Sequence, residues 1–217
     1  MAKRAKNGKI CEKRKTRARA GCNRRRFVVS YYLYALFAKK GGIAVRILGI
    51  DPGYAIVGFG ALDDTRSTLT ALRYGAITTK AHTTFEDRLA EIYEDMTELL
   101  RMVQPDAMAI ETLFYTTNQK TVIAVAEARG VLLLCARQAG VPVFEYTPLQ
   151  VKQSVSGYGR APKKQVQEMT RRILKLPAVP KPDDTADALA MAICHAYSYR
   201  SRQYGIAKTK RQQMGYE

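Results

Sequence analysis

The chain reads as an α/β protein: a mixed sheet, built from a three-strand antiparallel meander plus parallel strands, flanked by helices. Three observations predict this. Three apolar runs between residues 45 and 79 are separated by turn residues alone, as a meander requires. After residue 80, helical periods alternate with short buried runs, as parallel crossovers require. The length of 217 residues, 47% of them hydrophobic, suits one domain with a proper core plus appendages.

The elements follow in order. "VRILGI" (45–50) is rich in β-branched and apolar residues and stops at "DPG", which predicts a buried strand ended by a Pro-Gly turn. "AIVGFGALD" and "LTALRYGAITT" are further strands, parted by the polar "DTRS". In "TFEDRLAEIYEDMTELLRMVQPD" (84–106), Leu89, Ile92, Met96, Leu99, Leu100 and Val103 recur at helical spacing with acids opposite. That pattern predicts an amphipathic surface helix closed by Pro105. "AMAI" (107–110) is a short buried strand ending at Glu111.

"TVIAVAEARGVLLLCARQAG" (121–140) is helical in length and apolar almost all round, with Gly140 as its stop. Such a helix is covered on several sides, by the core or by a second subunit. "VPVFEY" is a strand, Pro148 opens a helical "LQVKQSV", and "SGYGRAPKK" is a Gly-rich basic loop. "KKQVQEMTRRILKL" is a basic amphipathic helix and "PAVPKP" an extended linker. The last apolar helix begins at Asp183, read as its N-cap.

Charge divides the chain into three parts. Residues 1–44 hold 14 Lys/Arg against one Glu, a net of +13, and residues 198–217 hold five against one, a net of +4. The formal total is +17, so residues 45–197 sum to zero. We therefore expect a basic N-terminal arm (1–44), disordered or appended, a folded domain (45–197) and a basic C-terminal tail (198–217). Tails of this kind attract nucleic acid or acidic surfaces. "NRRRFVVSYYLYALFAKKGG" imitates an export signal, but its twelve or so apolar residues are too few to span a bilayer, and Lys39-Lys40 follows them. The expectation is a cytoplasmic protein with no membrane segment. Cys11, Cys22, Cys135 and Cys194 lack CxxC spacing, which argues against a zinc site or a disulfide framework.

Acids fall at unusual places. Asp51 ends the first buried strand, Glu111 ends the fourth, and Asp184 and Asp187 lie three apart on one face of the last helix. In an open α/β sheet the carboxyl ends of central parallel strands share one crevice, where ligands bind. Unit charges about 4 Å apart repel by roughly 4 kcal/mol at an effective dielectric near 20, so such a site wants cations. Hard oxygen ligands without His or Cys select Mg²⁺, with Mn²⁺ as substitute, and two such ions could clamp a phosphodiester. Each acid alone has a plainer reading: a turn at Asp51, a surface strand end at Glu111, helix-dipole compensation at Asp184 and Asp187. Together they point the same way.

Residues 152–175 hold seven Lys/Arg (152, 160, 163, 164, 171, 172 and 175) against Glu168 alone. This is either a solvated helix face or a stripe for DNA phosphates, with Lys152, Arg160, Lys163, Lys164 and Arg171 as its DNA-binding residues. His195, within the apolar last helix, is read as packed.

"GIDPG", "AIETLF", "ARG", "VKQSVSGYGRAPKKQV" and "DDTADALAMAICH", in that order from about Ile47 to Ala196, resemble the RuvC family of bacterial Holliday-junction resolvases. The resemblance implies a ribonuclease-H-like fold, a homodimer, and Mg²⁺-dependent paired nicking of two like strands across a four-way DNA junction. Its catalytic and metal-holding acids fall on Asp51, Glu111, Asp184 and Asp187. Its basic residues near the scissile phosphate fall on Lys152 and Lys163, and the aromatic residue that meets unstacked bases falls on Phe114. The RuvA–RuvB branch-migration complex is implied as a partner. The arm of residues 1–44 lies outside the family's pattern. A catalytically inactive junction-binding architectural protein of the same fold is the alternative; a sugar-kinase-like phosphate loop would need a Ser/Thr-rich continuation where "YAIVG" stands.

Overall fold

A computed structural model describes residues 44–65, 67–113 and 119–203, side chains excepted at 119, 120, 202 and 203. Its strands are β1 (Val45–Asp51), β2 (Ile56–Asp64), β3 (Leu69–Thr78), β4 (Ala107–Glu111) and β5 (Val143–Tyr146). Its helices are α1 (Phe85–Val103), α2 (Gln119–Gln138), α3 (Pro148–Ser156), α4 (Lys163–Ile173) and α5 (Asp183–Gln203).

The strands form one sheet in the order β3-β2-β1-β4-β5. β1, β2 and β3 pair antiparallel, as the short turns dictate, whereas β1–β4 and β4–β5 are parallel, because helices carry those crossovers. The expected mixed sheet flanked by helices is the fold observed.

Side-chain alternation splits the core into two layers. Leu48, Ile50, Val57, Met108 and Ile110 pack under α1 and α2, against Ile92, Met96, Leu99 and Leu132. Ile47, Leu62 and Ala109 face the other way, onto α3, α4 and α5, against Val151, Val166, Leu189 and Ile193. In α1 the buried set is Ile92, Met96, Leu99, Leu100 and Val103, and Thr84 caps the start by accepting from the Asp87 amide. The helix ends at Gln104 in a left-handed turn, one residue before Pro105.

Two helices differ from expectation in detail. α2 buries Ala128, Leu132, Cys135 and Ala136, but Ile123 and Leu134 are 60% and 51% exposed, so one of its apolar sides is open in the single chain. Asp183 lies within α5 as its first residue, and its carboxylate turns to Lys181 at 2.7 Å. Cys135 and Cys194 are buried free thiols. His195 is buried with Nδ1 at 2.8 Å from the Tyr146 hydroxyl. Among the described residues no helix is long and apolar enough to cross a membrane.

Candidate active site

Parallel pairing brings the carboxyl ends of β1 and β4 side by side, and alternation decides which way their last residues face. Ile47 and Gly49 look toward α5, so Asp51 does too; Ala109 looks toward α5, so Glu111 follows. Glycine then lets α5 come down onto them. A Cβ on Gly49 would stand 2.0 Å from the Ala188 carbonyl oxygen, and one on Gly58 would stand 2.1 Å from that of Asp184. No side chain fits at either position. Gly58 is also the register partner of Asp51, so the first turn of α5 is laid directly beside Asp51.

Asp51, Glu111 and Asp187 line one cleft of about 280 Å³, together with Lys152 of α3, Lys163 at the start of α4, and the apolar Val151, Val166 and Met191. Asp184 stands next to this cleft against Gly58, and its charge is felt at Asp51. Lys163 Nζ lies 2.8 Å from Asp187 Oδ2 and 3.9 Å from Asp183 Oδ2.

The electrostatics follow from burial and crowding. Asp51 is pushed from its ordinary 3.8 up to about 8, first by burial, then by the charges of Glu111, Asp187 and Asp184. Burial raises Glu111 as well, and Asp187 adds to it while Lys152 and Lys163 oppose. Asp187 is raised by burial against the pull of its hydrogen bond to Lys163. Lys163 is itself held above its ordinary value, chiefly by that bond.

The other anticipated residues are placed as follows. Lys152 is half-buried in the cleft wall; Thr147 and Gln150 form a capping box at the start of its helix. Arg160 and Lys164 are exposed, on the loop before α4 and on its first turn. Arg171 is elsewhere engaged: its guanidinium grips Glu168 at 2.7 and 2.9 Å and donates to the Leu176 carbonyl at 3.1 Å. Phe114 lies outside the described residues. The structure adds one residue that sequence reasoning missed, Arg129 of α2, which donates from Nε to the Glu111 carbonyl at 3.2 Å. Its place in the "ARG" motif, within a mostly apolar stretch of helix, was the available signal.

The donor set fits a hard divalent cation. It is all oxygen, it sits on two strand ends and one helix, and its like charges are balanced here only in part, by Lys163 and Lys152. Among the described residues no three His, Cys, Asp or Glu side chains already close on one point. The acids surround the cleft, and the Lys163 ammonium takes the place of a cation at Asp187.

The profile described as crossover junction endodeoxyribonuclease RuvC matches residues 47–195. The crossover junction endodeoxyribonuclease RuvC of Brevibacillus brevis is 56% identical over 152 residues, covering 70% of this chain and 92% of that protein. Its counterpart from Ruminiclostridium cellulolyticum is 54% identical over 154 residues, covering 71% and 93%. Among solved structures, T. thermophilus RuvC in complex with Holliday junction substrate aligns with a TM-score of 0.69 at 34% identity, covering 73% of this chain and 96% of that one. Sheet order, acid-lined cleft and these matches agree: the chain belongs to the RuvC family of crossover junction endodeoxyribonucleases.

Proposed function

We propose that this chain is a structure-selective DNA endonuclease that resolves four-way junctions by paired, metal-dependent nicking of two like strands. The observation that carries the reading is the cleft itself. Half-buried carboxylates are crowded until Asp51 is pushed up to about 8, with two lysines on the same wall. A fold does not maintain that much repulsion for its own stability, and a cationic ligand relieves it.

Asp51, Glu111, Asp184 and Asp187 would hold Mg²⁺, or Mn²⁺ in its place, at two ions per site. When bound, the cations supply activation of the attacking water and stabilisation of the leaving oxygen. The chain's own residues do the rest. Lys163 and Lys152 meet the scissile phosphate at the cleft, and a lysine so placed favours charge developing on the phosphate oxygens. Arg160 and Lys164, exposed on the loop before α4 and on its first turn, receive the backbone of a duplex arm. Arg171, bound to Glu168, contributes to that stripe only if it leaves its partner. Phe114 is proposed to meet unstacked bases near the crossover; its place three residues after Glu111 supports this.

Two like strands need two clefts, and one chain has one. The open apolar side of α2, with Ile123 and Leu134, supports a homodimer built there. The T. thermophilus relative's junction complex supports a four-way junction as substrate. A branch-migration complex of the RuvA–RuvB kind as partner, and a cytoplasmic location, complete the reading.

The test is a synthetic four-way junction incubated with the protein in Mg²⁺ and in EDTA. Symmetric nicks in two like strands are expected with metal and none without. An Asp51→Asn variant should keep junction binding and lose cutting. A dimeric preparation that binds junctions but yields no nicks at any Mg²⁺ concentration would sink the proposal in favour of a purely architectural role.

A further inference from the structure

Glu111 sits where the sheet stops holding it on one side. The β1–β4 pairing ends at Ile50↔Ile110, one residue short of Glu111. On the other side the ladder persists: Glu111 pairs with Tyr146, and the Thr112 amide donates to the Tyr146 carbonyl at 2.9 Å. Beyond the β1 ladder a side chain takes over. Arg129, midway along α2, donates Nε to the Glu111 carbonyl at 3.2 Å, while its Nη2 lies 2.9 Å from Oε2 of Glu145 on β5.

The Arg129 side chain is only 14% exposed. A guanidinium is withdrawn from water at a cost that only pairing and hydrogen bonding offset. Its planar fork fixes two directions at once, which a lysine cannot do. Here Nε is hydrogen-bonded to β4, while Nη2 is paired with Glu145 of β5 by charge at 2.9 Å without hydrogen-bond alignment, from a helix that packs over the opposite face of the sheet. The cations that act on the Glu111 carboxylate are Lys152 and Lys163. Arg129 instead acts on the main chain from which that carboxylate projects.

We propose that Arg129 is a positioning residue for Glu111, strapping the end of β4 to α2 and β5 so that the carboxylate is held at the cation site. This rests on the reading of Glu111 as a metal-holding acid. Supporting groups behind metal ligands typically alter metal affinity about 10–100-fold when removed.

The experiment compares full-length wild type with Arg129→Gln, Arg129→Lys, Glu145→Gln and Glu111→Gln. It measures the Mg²⁺ dependence of junction nicking, the heat of Mn²⁺ binding to DNA-free protein, and junction affinity in EDTA. Arg129→Gln is expected to weaken Mn²⁺ binding and to raise half-saturating Mg²⁺ by about tenfold or more. Its rate should recover as Mg²⁺ is increased, with junction affinity unchanged. Arg129→Lys, which keeps the charge and loses the fork, should resemble Arg129→Gln, and Glu145→Gln should shift in the same direction. A folded Arg129→Gln with wild-type metal dependence overturns the strap. So does one whose rate, junction affinity and melting temperature fall together at every Mg²⁺ concentration. Should Arg129→Gln not fold, an unshifted Mg²⁺ dependence in Glu145→Gln overturns it. Glu111→Gln separates the two ideas: if it nicks normally, the role of Glu111 fails; if it is dead while Arg129→Gln is unchanged, only the strap fails.

Discussion

Asp51 concentrates the site's electrostatics in one side chain. Its carboxyl is raised from 3.8 to about 8, so between those values the folded protein keeps a proton that the unfolded chain has lost. The contribution of this group to stability is therefore full at low pH and is lost as pH rises through the window from about 4 to about 8. Glu111 and Asp187 are raised too and act with the same sign. Asp51→Asn removes the charge that must form there. In EDTA at pH 8.5 it should melt higher than wild type, by at least about 1 kcal/mol or about 2–4 °C, with the gap closing toward pH 4. Thermal melts across that range check this; a variant melting lower at pH 8.5 would mean that the Asp51 charge is stabilised in the metal-free fold. The same raised value makes a second prediction. A cation that binds Asp51 must displace its proton, so Mg²⁺ added at pH 7 should release about one proton per cleft. Calorimetry in buffers of different ionisation enthalpy reads that number, and Asp51→Asn should abolish it.

At the scale of elements, the decisive contact is α5 lying on a glycine-lined stretch of β1 and β2. A methyl at Gly49 meets the Ala188 carbonyl at 2.0 Å and the Ala192 amide nitrogen at 2.7 Å, so the helix must lift. Overpacking of this sort costs about 1–3 kcal/mol. The displacement carries Asp184 and Asp187 with it, and about 1 Å of misplacement can cost about 100-fold in rate. Gly49→Ala should therefore lose nicking activity far out of proportion to its loss of melting temperature, while junction affinity is largely kept. Equal losses in all three measurements would show that Gly49 serves packing alone. The strands and helices themselves were legible from the sequence, because apolar period and turn residues act locally. The four acids were legible because each breaks off an apolar run or opens a helix. What the sequence hid was long-range. Gly49 and Gly58 carry no signal within a strand pattern until the last helix is placed on them, and Arg129, present in the "ARG" motif, gains a role only when the end of β4 reaches it. Arg171 is a different case. It stands in the expected DNA stripe, and Glu168 three residues earlier also marks it as one half of a helix-surface pair.

For the whole molecule the question is how a domain of zero net charge holds a polyanion. Residues 45–197 balance to zero, but the balance is uneven in space. Lys152 and Lys163 line the cleft beside its acids, with Lys164 next to Lys163 in sequence, whereas α1, on the opposite face of the sheet, carries Glu86, Asp87, Glu91, Glu94, Asp95 and Glu98 against Arg88 and Arg101. The acidic face of α1 repels a duplex, and the cleft can attract one only once cations offset its own carboxylates. Residues 1–44, at a net +13, are a separate source of positive charge. Each phosphate neutralised by the protein contributes about −0.9 to the slope of log K against log salt on duplex DNA. If the arm touches DNA, deleting residues 1–44 should flatten that slope by several units on both four-way junctions and plain duplex. Preference for junctions should then rise, because attraction by charge alone is indifferent to DNA structure. Fluorescence anisotropy over a salt series, with both DNAs, measures slope and preference together. An unchanged slope would assign all phosphate contacts to residues 45–217, and a flattened slope with falling junction preference would place the arm at the junction itself.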